Sequence, residues 1–366
     1  MEFLFWAVLC IGIIYCLLSL AIHRGLSRRW QRTGHKPQVT VLIAARNEAR
    51  NLPFCLDHLA IQDYDHDRLQ VLILDDQSVD ATGDIGRGYA DRYAFMEYHE
   101  IVPSGTALQG KMNALAQGMV RSKGEIILVT DADCRPASGW IANMVSYFTE
   151  ETAMVGGLTV LDGKGFFSRI QTCDWLFLQA VAAGTTGLGL PVSILGNNFG
   201  FRKSSYLEVG GFEKLGFSLT EDLELLRAVR RLKHLRTAYP LRQETIVMSR
   251  SAESLAELFH QRLRWIAGGR HSGAAGWLLL LTTFLLHLLL PVMLLLNFES
   301  LGLQVLFGAV ILLDLAMLGR VSTRAGDSLL SVFFPFFEIY YFIYTTFFGL
   351  LSLFPVGIQW KGRRYN

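Results

Sequence analysis

Four long apolar stretches constrain the fold of this chain more than any other feature of its sequence. They cover residues 3–22, 277–296, 301–318 and 329–354. Each contains enough apolar residues to cross a hydrocarbon layer about 30 Å thick as a helix. Because only helices and closed barrels satisfy their backbone polar groups inside a bilayer, we expect membrane helices at both ends of the chain.

The first stretch is predicted to be a transmembrane anchor over residues 1–23. Residues 3–22 carry no charged side chain, and the residues that follow include His23, Arg24, Arg28, Arg29, Arg32 and Lys36. A cleaved signal peptide has its basic residues before the apolar run and a small-residue cleavage site after it. The order here is reversed, and the positive-inside rule places the basic side in the cytosol.

The C-terminal stretches predict membrane segments over residues 277–356. Only four residues join 277–296 to 301–318, which permits an antiparallel hairpin and nothing larger. Such a hairpin returns Arg320 and Arg324 to the cytosolic side, as the positive-inside rule prefers.

The stretch 329–354 leaves two interpretations open, because it exceeds the length of one upright span and contains Pro335 and Glu338 near its start. A tilted single crossing would place the basic aromatic tail, residues 357–366, outside the cell against the positive-inside rule. A broken segment that enters the membrane and returns keeps this tail in the cytosol, and we favour it.

Three polar residues, His287, Asp314 and Glu338, lie within these apolar stretches. Ionisable side chains are costly where they face lipid. We therefore predict that all three face the interior of the helix bundle or a water-filled cavity.

Residues 37–270 predict a cytosolic domain of the α/β class. Strand-like and helix-like segments alternate, which is typical of a mostly parallel sheet with helices on both faces. The predicted strands are 39–45, 69–74, 95–102, 124–130 and 153–161, and the predicted helices begin near 49, 83, 111, 140, 221 and 255.

The composition limits the class of protein and of partner. Hydrophobic residues make up 51% of the 366 residues, which is too many for an ordinary soluble enzyme. The net charge of +2 comes from scattered Lys and Arg residues, so nothing favours a nucleic-acid partner. The five cysteines contain no CxxC pair, and we interpret them as reduced thiols of a cytosol-facing domain.

Two carboxylates, Asp131 and Asp133, follow the predicted strand 124–130. They would lie at the carboxyl edge of the sheet, where open α/β sheets bind their ligands. A divalent cation would relieve the repulsion between them, and oxygen ligands suit Mg²⁺ or Mn²⁺. The alternative is a polar turn with a helix cap, since Asp is common in both.

Two further groups of polar residues begin predicted helices. Thr220 is a predicted N-cap that places Glu221 and Asp222 in a first turn, where they could simply complement the helix dipole. A capping box at Ser254 and Glu257 opens an interfacial helix over 254–266. One face of this second helix carries Gln261, Arg264 and Trp265. This face could be an ordinary interfacial stripe or a wall of a site.

Two nucleotide-binding motifs are incomplete. Residues 105–111 match the first seven positions of a P-loop, but Met112 stands where Ser or Thr would hold Mg²⁺. No GxGxxG follows the first predicted strand. The sequence therefore favours neither a P-loop NTPase nor a dinucleotide-binding Rossmann domain.

Five motifs together make residues 38–270 resemble the membrane-bound family-two glycosyltransferases. The motifs are residues 41–48, Asp75-Asp76-x-Ser78-x-Asp80, Asp131-x-Asp133, Thr220-Glu221-Asp222 and Gln261-x-x-Arg264-Trp265. This family includes ceramide glucosyltransferases, cellulose, chitin and hyaluronan synthases, and bacterial enzymes that glycosylate lipids or carotenoids. The resemblance implies the A-type nucleotide-sugar fold and an inverting transfer from a nucleotide-sugar donor, usually a UDP-sugar.

The resemblance also implies a role for each site residue. The nucleoside pocket would be lined by Ala44, Ala45, Arg46, Glu48 and Asp76. Asp131 would contact the ribose and diphosphate. Asp133 would ligate Mg²⁺ or Mn²⁺, and Asp131 would be the second carboxylate of this metal pair. Asp222 would be the general base, with Glu221 beside it. The site would be closed near the diphosphate and acceptor by Gln261, Arg264 and Trp265, while Lys111 matches a Gly-Lys position near the donor.

The number of membrane segments favours transfer of one sugar to a membrane lipid. Polysaccharide synthases of this family generally have more membrane helices, which form a translocation channel, so a processive synthase is the alternative. The tail Trp360-Lys361-Gly362-Arg363-Arg364-Tyr365 resembles that of bacterial lipid- and carotenoid-modifying members. A catalytically silent membrane scaffold or binding subunit is a more remote alternative, because the predicted base and the Asp-x-Asp pair are both present.

Overall fold

The computed structural model describes residues 2–103, 105, 107–269, 272–354, 357–360 and 363–365. Contacts divide the chain into two compact units. The sheet unit comprises Arg29–Asp162 and Ser193–Arg250, and the membrane unit comprises Met1–Arg28, Gly163–Val192 and Ser251–Asn366. Three separate parts of the chain therefore build the membrane unit.

Two sheets lie in the sheet unit. The larger contains β1 (Val39–Ala45), β2 (Leu69–Asp75), β3 (Met96–Glu100), β4 (Ile126–Asp131), β6 (Thr152–Gly156), β8 (Asn198–Arg202) and β9 (Arg236–Ala238), in the order β3-β2-β1-β4-β8-β6-β9. The smaller contains β5 (Arg135–Pro136), β7 (Thr159–Leu161) and β10 (Val247–Ser249). In the larger sheet only β8 runs antiparallel to its neighbours. The predicted α/β class with a mostly parallel sheet is therefore confirmed.

Helices pack around the larger sheet and bury its central strands. All of β2 and nearly all of β1 and β4 are buried, as expected for parallel strands covered on both faces. The helices are α2 (Leu52–Ala60), α3 (Thr82–Arg92), α4 (Gly110–Arg121), α5 (Trp140–Val145), α7 (Lys203–Glu208), α8 (Gly211–Leu215) and α9 (Glu221–Val229), while α1 (Glu2–Gly25) and α6 (Phe166–Gly187) belong to the membrane unit.

The single strand predicted over residues 153–161 is wrong. Two strands in different sheets, β6 and β7, occupy this region. Gly156 ends β6 and Gly157 follows it, and other side chains approach both closely: a Cβ at Gly156 would lie 2.8 Å from the Tyr239 ring, and one at Gly157 would lie 2.3 Å from Asn198 Oδ1. The packing of Tyr239 and Asn198 at the end of β6 therefore leaves no room for a side chain at either position.

The membrane unit is built from helices. They are α1 (Glu2–Gly25), α6 (Phe166–Gly187), α10 (Leu255–Gly269), α11 (Gly273–Leu296), α12 (Leu301–Ala325) and α13 (Phe334–Leu351), with a 3-10 helix at Ser328–Phe333 and a hairpin of β11 (Ile358–Trp360) and β12 (Arg363–Tyr365). Among the residues that the structure describes, four helical segments are long and apolar enough to cross a membrane: α1, α11, α12 and Ser328–Leu351.

The C-terminal ends of α1 and α12 lie side by side. Arg320 Nη1 donates to the carbonyl of His23 at 2.9 Å, and Arg324 Nη2 donates to the carbonyl of Leu26 at 2.8 Å. The basic ends of these two helices therefore lie on the same side of the bundle, as the predicted hairpin of α11 and α12 requires.

The last apolar segment differs in part from the expectation. Pro335 lies in the first turn of α13, where a proline removes no helical hydrogen bond. Glu338 does not interrupt the helix, which runs unbroken from Phe334 to Leu351. The side of the membrane reached after Leu351 stays a prediction, and Lys361, Gly362 and Asn366 of the tail lie outside the described residues.

Candidate active site

The loops that follow β1 and β2 are bound to each other at the carboxyl edge of the larger sheet. Asn47 N–H donates to Ser78 Oγ at 3.0 Å, and Asn47 Oδ1 accepts from Val79 N–H at 2.9 Å. Arg46 Nη1 donates to the carbonyl of Asp76 at 2.6 Å. Asn47 has a φ of 53°, a left-handed conformation that asparagine tolerates better than most residues and that is often found at functional sites.

Two acidic residues, Asp75 at the end of β2 and Asp80 in the loop that follows, shape that loop. Asp75 accepts hydrogen bonds from the Ser78 N–H and the Tyr98 hydroxyl, both at 2.9 Å. Asp80 accepts from the Thr82 N–H at 3.0 Å. Both carboxylates therefore fix the backbone around the edge of the sheet.

The residues predicted to line a nucleoside pocket lie along this edge. They are Ala44, Ala45, Arg46, Glu48 and Asp76. Ala44 lies beside Asp131 in the parallel register of β1 and β4. Glu48 and Asp76 are largely buried, with 8% and 4% of their surface exposed. Their binding role stays a prediction.

Lys111 joins two of the predicted site carboxylates. Its Nζ atom lies 2.7 Å from Asp131 Oδ1 and 2.8 Å from Glu221 Oε1, and it donates to the carbonyl of Gly196 at 3.1 Å. Charge-assisted hydrogen bonds of this kind are among the strongest in proteins. Lys111 therefore ties together the start of α4, the end of β4 and the start of α9.

The electrostatic balance at Lys111 favours the ammonium form. Burial by itself lowers the pKa of the side chain, but the Asp131 and Glu221 carboxylates outweigh burial and raise the pKa above its ordinary value. Lys111 thus supplies a permanent positive charge between two carboxylates.

Asp222 differs from its neighbour Glu221. No ion pair involves Asp222 in the described part of the chain, and its Oδ1 accepts from the N–H of Leu223 at 2.8 Å. A Cβ at Gly196 would lie only 3.0 Å from Asp222 Oδ2, so a glycine leaves room for the carboxylate. Asp222 is partly exposed, yet surrounding protein and the Glu221 carboxylate raise its pKa to about 7. A carboxylate with this pKa suits general-base chemistry near neutral pH.

The capping role predicted for Thr220 is wrong in detail. Thr220 directly precedes α9, but its side chain makes no capping hydrogen bond. Its Oγ1 atom lies 3.3 Å from Ser218 Oγ instead. Glu221 and Asp222 do occupy the first turn, as predicted.

The chemistry of Asp131 and Asp133 fits a divalent cation. Asp131 ends β4 and Asp133 follows it, and both side chains are partly exposed. Carboxylate oxygens at such an edge are the ligands preferred by Mg²⁺ and Mn²⁺. Lys111 engages Oδ1 of Asp131, and the Cys134 thiol lies 3.6 Å from Oδ1 of Asp133. The metal role of the two carboxylates stays a prediction.

The motif residues Gln261, Arg264 and Trp265 lie on α10 in the membrane unit. Ser254 Oγ accepts from Glu257 N–H at 3.1 Å, so the predicted cap of this helix is confirmed. The Trp265 ring packs edge to face against Trp175, with ring centroids 5.3 Å apart. The Gln261 and Arg264 side chains are partly exposed.

Sequence reasoning missed a buried ion pair within the motif on α10. Arg262 is 1% exposed, pairs with Asp174 of α6 and lies over the Trp265 ring at 4.0 Å. No helix or strand was predicted between residues 161 and 195. The sequence therefore gave no means of predicting what Asp174 contacts. The only signal in the sequence was Arg262 itself, which stands at the first unspecified position inside the motif Gln261-x-x-Arg264-Trp265.

Tyr239 was also missed. It is buried beside Asp222, and its hydroxyl has no hydrogen-bond partner among the described residues. Burial and the Asp222 carboxylate raise its pKa above the ordinary value. No motif marks this residue, because only the fold brings the end of β9 to α9.

Two family models match most of the chain. The one described as Glycosyl transferase family 2 matches residues 40–209, and the one described as Glycosyl transferase family group 2 matches residues 126–355. The second match covers more than half of the chain and includes three of the four candidate membrane spans.

Curated relatives and a solved structure are similar to the chain. A β-monoglucosyldiacylglycerol synthase of Nostoc is 30% identical over 68% of this chain and 52% of its own length. A poly-β-1,6-N-acetyl-D-glucosamine synthase of Staphylococcus aureus is 24% identical over 73% of this chain and 62% of its own length. The chain thus spans between half and two thirds of the length of these relatives.

The solved structure is the mannosyltransferase PcManGT of Pyrobaculum calidifontis in complex with GDP-Man and Mn²⁺. It has a TM-score of 0.63 and 18% identity, covering 93% of this chain and 99% of its own. At this identity the likeness concerns the fold alone.

Proposed function

Since this chain belongs to glycosyl transferase family 2, we propose that it is an inverting hexosyltransferase that moves a sugar from a UDP-sugar to a hydroxyl of a membrane lipid. The observation that carries this proposal is the contrast between Glu221 and Asp222. Glu221 is held by Lys111, whereas Asp222 is left with a raised pKa at the same edge of the sheet.

Asp222 is the general base in this proposal. It takes the proton of the acceptor hydroxyl while the hydroxyl oxygen attacks the anomeric carbon of the donor sugar. The bond from that carbon to the diphosphate oxygen breaks, and the diphosphate leaves with the bonding electrons. A positioned base typically contributes roughly 10²- to 10⁴-fold to such a step.

The leaving diphosphate needs positive charge, because cations aimed at developing negative charge lower such a barrier. Asp133 and Asp131 would hold Mg²⁺ or Mn²⁺ there, and the bound ion would act as a Lewis acid on the diphosphate. Arg264 would contribute a planar guanidinium that can bind two phosphate oxygens at once. Gln261 and Trp265 would help to close the site, and Lys111 keeps Asp131 in place.

The nucleoside is assigned to the edge formed by the β1 and β2 loops. The hydrogen bonds between Asn47, Ser78 and Val79 hold the two loops together, which pre-organises the proposed pocket residues Ala44, Ala45, Arg46, Glu48 and Asp76. A pre-organised pocket loses less entropy when the donor binds.

A lipid acceptor is supported by the membrane unit and by the relative named β-monoglucosyldiacylglycerol synthase. The relative named poly-β-1,6-N-acetyl-D-glucosamine synthase favours the second candidate, a processive polysaccharide synthase. We place the sheet unit in the cytosol, because the basic ends of α1 and α12 lie together and basic residues favour that side.

The experiment is transfer by the full chain, purified in detergent, from a panel of UDP- and GDP-sugars to a bacterial lipid extract, with products weighed by mass spectrometry. Lipids that gain one hexose mass support the proposal. A ladder of many sugar masses supports the processive synthase. If every donor stays intact, neither hydrolysed nor transferred, the enzymatic assignment is wrong.

A further inference from the structure

Three helices of the membrane unit each contribute one buried, potentially metal-binding side chain to the same place. His287 of α11, Asp314 of α12 and Glu338 of α13 each offer a ligand atom, and these atoms lie within 4.8 Å of one another. The exposed fractions of the three residues are 2%, 0% and 5%. The sequence analysis predicted that they face the interior, and this is confirmed. We call them the intramembrane triad.

The hydrogen bonds around His287 leave one ring nitrogen available as a ligand. Its Nδ1 lies 2.7 Å from the carbonyl of Thr283, and because a carbonyl only accepts, Nδ1 carries the proton. Nε2 therefore presents its lone pair, and it has no hydrogen-bond partner among the described residues. Metal-binding histidines are commonly oriented by such a bond from their other nitrogen.

The two carboxylates complete a set of one nitrogen and two oxygen donors. The Tyr15 hydroxyl of α1 lies 2.8 Å from both carboxylate oxygens of Asp314 and orients that group. Neither carboxylate oxygen of Glu338 has a hydrogen-bond partner in the described part of the chain. The rings of Tyr341 and Phe342 pack against His287, with centroids 5.0 and 4.3 Å away, and they shield the site.

Burial of the intramembrane triad without a cation costs free energy. A buried carboxyl group in an apolar setting is neutralised either by a proton or by a cation. Protons shared within the triad are a poor solution here, because Glu338 makes no hydrogen bond to His287 or Asp314 in the described structure. The spread of up to 4.8 Å between ligand atoms instead leaves space for an ion between them.

We propose that the intramembrane triad binds a zinc ion that ties α11, α12 and α13 together. Zinc accepts imidazole nitrogen and carboxylate oxygen ligands at about 2.0–2.2 Å, so the side chains need only a small inward movement. This site is independent of Asp131 and Asp133, because it uses other residues and another unit of the chain. A bound ion would stabilise the bundle, since the unfolded chain lacks the pre-formed site.

The test begins with the full chain purified in detergent after exposure to zinc sulfate and removal of loosely bound metal. Elemental analysis should give about one zinc ion per chain. His287→Gln and Glu338→Gln should lower the zinc content at least roughly tenfold. The controls Thr282→Val, a buried change on the same helix, and Asp133→Ala, a change at the other proposed metal pair, should leave it unchanged.

A second measurement uses the wild-type chain and does not depend on the folding of variants. Cobalt chloride added to the metal-free protein should produce the visible absorption bands of protein-bound Co²⁺ at the expected stoichiometry, and zinc sulfate should abolish them. A chelator should lower the thermal unfolding temperature of the zinc-loaded wild type but not of His287→Gln. Wild-type protein that takes up neither metal, or triad variants that retain full zinc content, would overturn the proposal.

Discussion

The Nζ atom of Lys111 lies 2.8 Å from the Oε1 atom of Glu221, whose side chain is only 6% exposed. This contact gives two adjacent carboxylates at the start of α9 different environments. Glu221 is paired with the largely buried Lys111 ammonium, whereas Asp222 makes no ion pair among the described residues. The same first turn can therefore provide one structural carboxylate and one with a raised pKa.

Loss of the Lys111 ammonium should destabilise the sheet unit. Lys111→Met leaves the Glu221 carboxylate buried without its partner, and breaking a buried pair in this way costs about 3 kcal/mol. Adding Glu221→Gln to the same chain should recover most of that loss, because the unpaired charge is gone. Chemical unfolding followed by tryptophan fluorescence measures both.

The matched control for Lys111 is Lys123→Met. Lys123 also pairs with a carboxylate, that of Glu97, but its side chain is 62% exposed. Exposed pairs contribute less than about 1 kcal/mol, so this variant should unfold almost like the wild type. Equal losses from the two lysine variants would contradict the structural role of Lys111.

The pH dependence of transfer should reflect Asp222. Its pKa is raised to about 7 by burial and by the Glu221 carboxylate, against the opposing effect of Lys111. Asp131 adds to the rise, and Tyr239 is a further titratable group beside Asp222. Since a base acts only when deprotonated, the rate should rise with pH and level off above about 7.

Initial rates at saturating donor between weakly acid and weakly alkaline pH measure this profile. Below the inflection the rate should fall about tenfold per pH unit. A profile that is flat through neutral pH, with an inflection only near the ordinary aspartate value of about 4, would mean that Asp222 is not the base or is not desolvated.

Removal of divalent cations should stop transfer if Asp131 and Asp133 hold Mg²⁺ or Mn²⁺. Excess chelator should abolish activity, and either cation should restore it. Asp133→Ala should fold normally, because Asp133 is partly exposed, and should be inactive at any cation concentration. Full activity in excess chelator would exclude a role for the metal in the reaction.

Substitution of two arginines on α10 should affect different properties: turnover for Arg264 and stability for Arg262. Arg264→Lys keeps the charge but loses the two-pronged donor geometry, so turnover should fall roughly tenfold or more while stability is unchanged. Arg262→Met leaves the Asp174 carboxylate buried without its partner, which should cost about 3 kcal/mol of stability. Unfolding and turnover measured on both variants separate the two roles.

The strands and the acidic site residues could be predicted from sequence because their signals are local. The apolar strands 39–45 and 69–74 lie where the structure has β1 and β2, and Asp131 ends β4. The carboxyl ends of parallel strands lie at one edge of the sheet, so the position of Asp131 at that edge could be predicted before the fold was known.

The remaining features depend on contacts distant in sequence. The pairing of Lys111 with Glu221 joins residues more than a hundred positions apart. No local sequence pattern predicts such a contact. α6 lies between two strands in sequence yet packs with the membrane helices, and its mixture of polar and apolar residues gives no clear span. His287, Asp314 and Glu338 could each be recognised as unusual, but only the packing of three helices brings them together.

The central claim is that Asp222, and not Glu221, is the base of a glycosyl transfer. The most direct test compares Asp222→Asn and Glu221→Gln for transfer rate and, separately, for donor binding by calorimetry. The account predicts that Asp222→Asn binds donor like the wild type but transfers roughly 10²- to 10⁴-fold more slowly, whereas Glu221→Gln, which can still accept from Lys111, keeps most of its activity. Wild-type transfer by Asp222→Asn, with Glu221→Gln inactive, would contradict it.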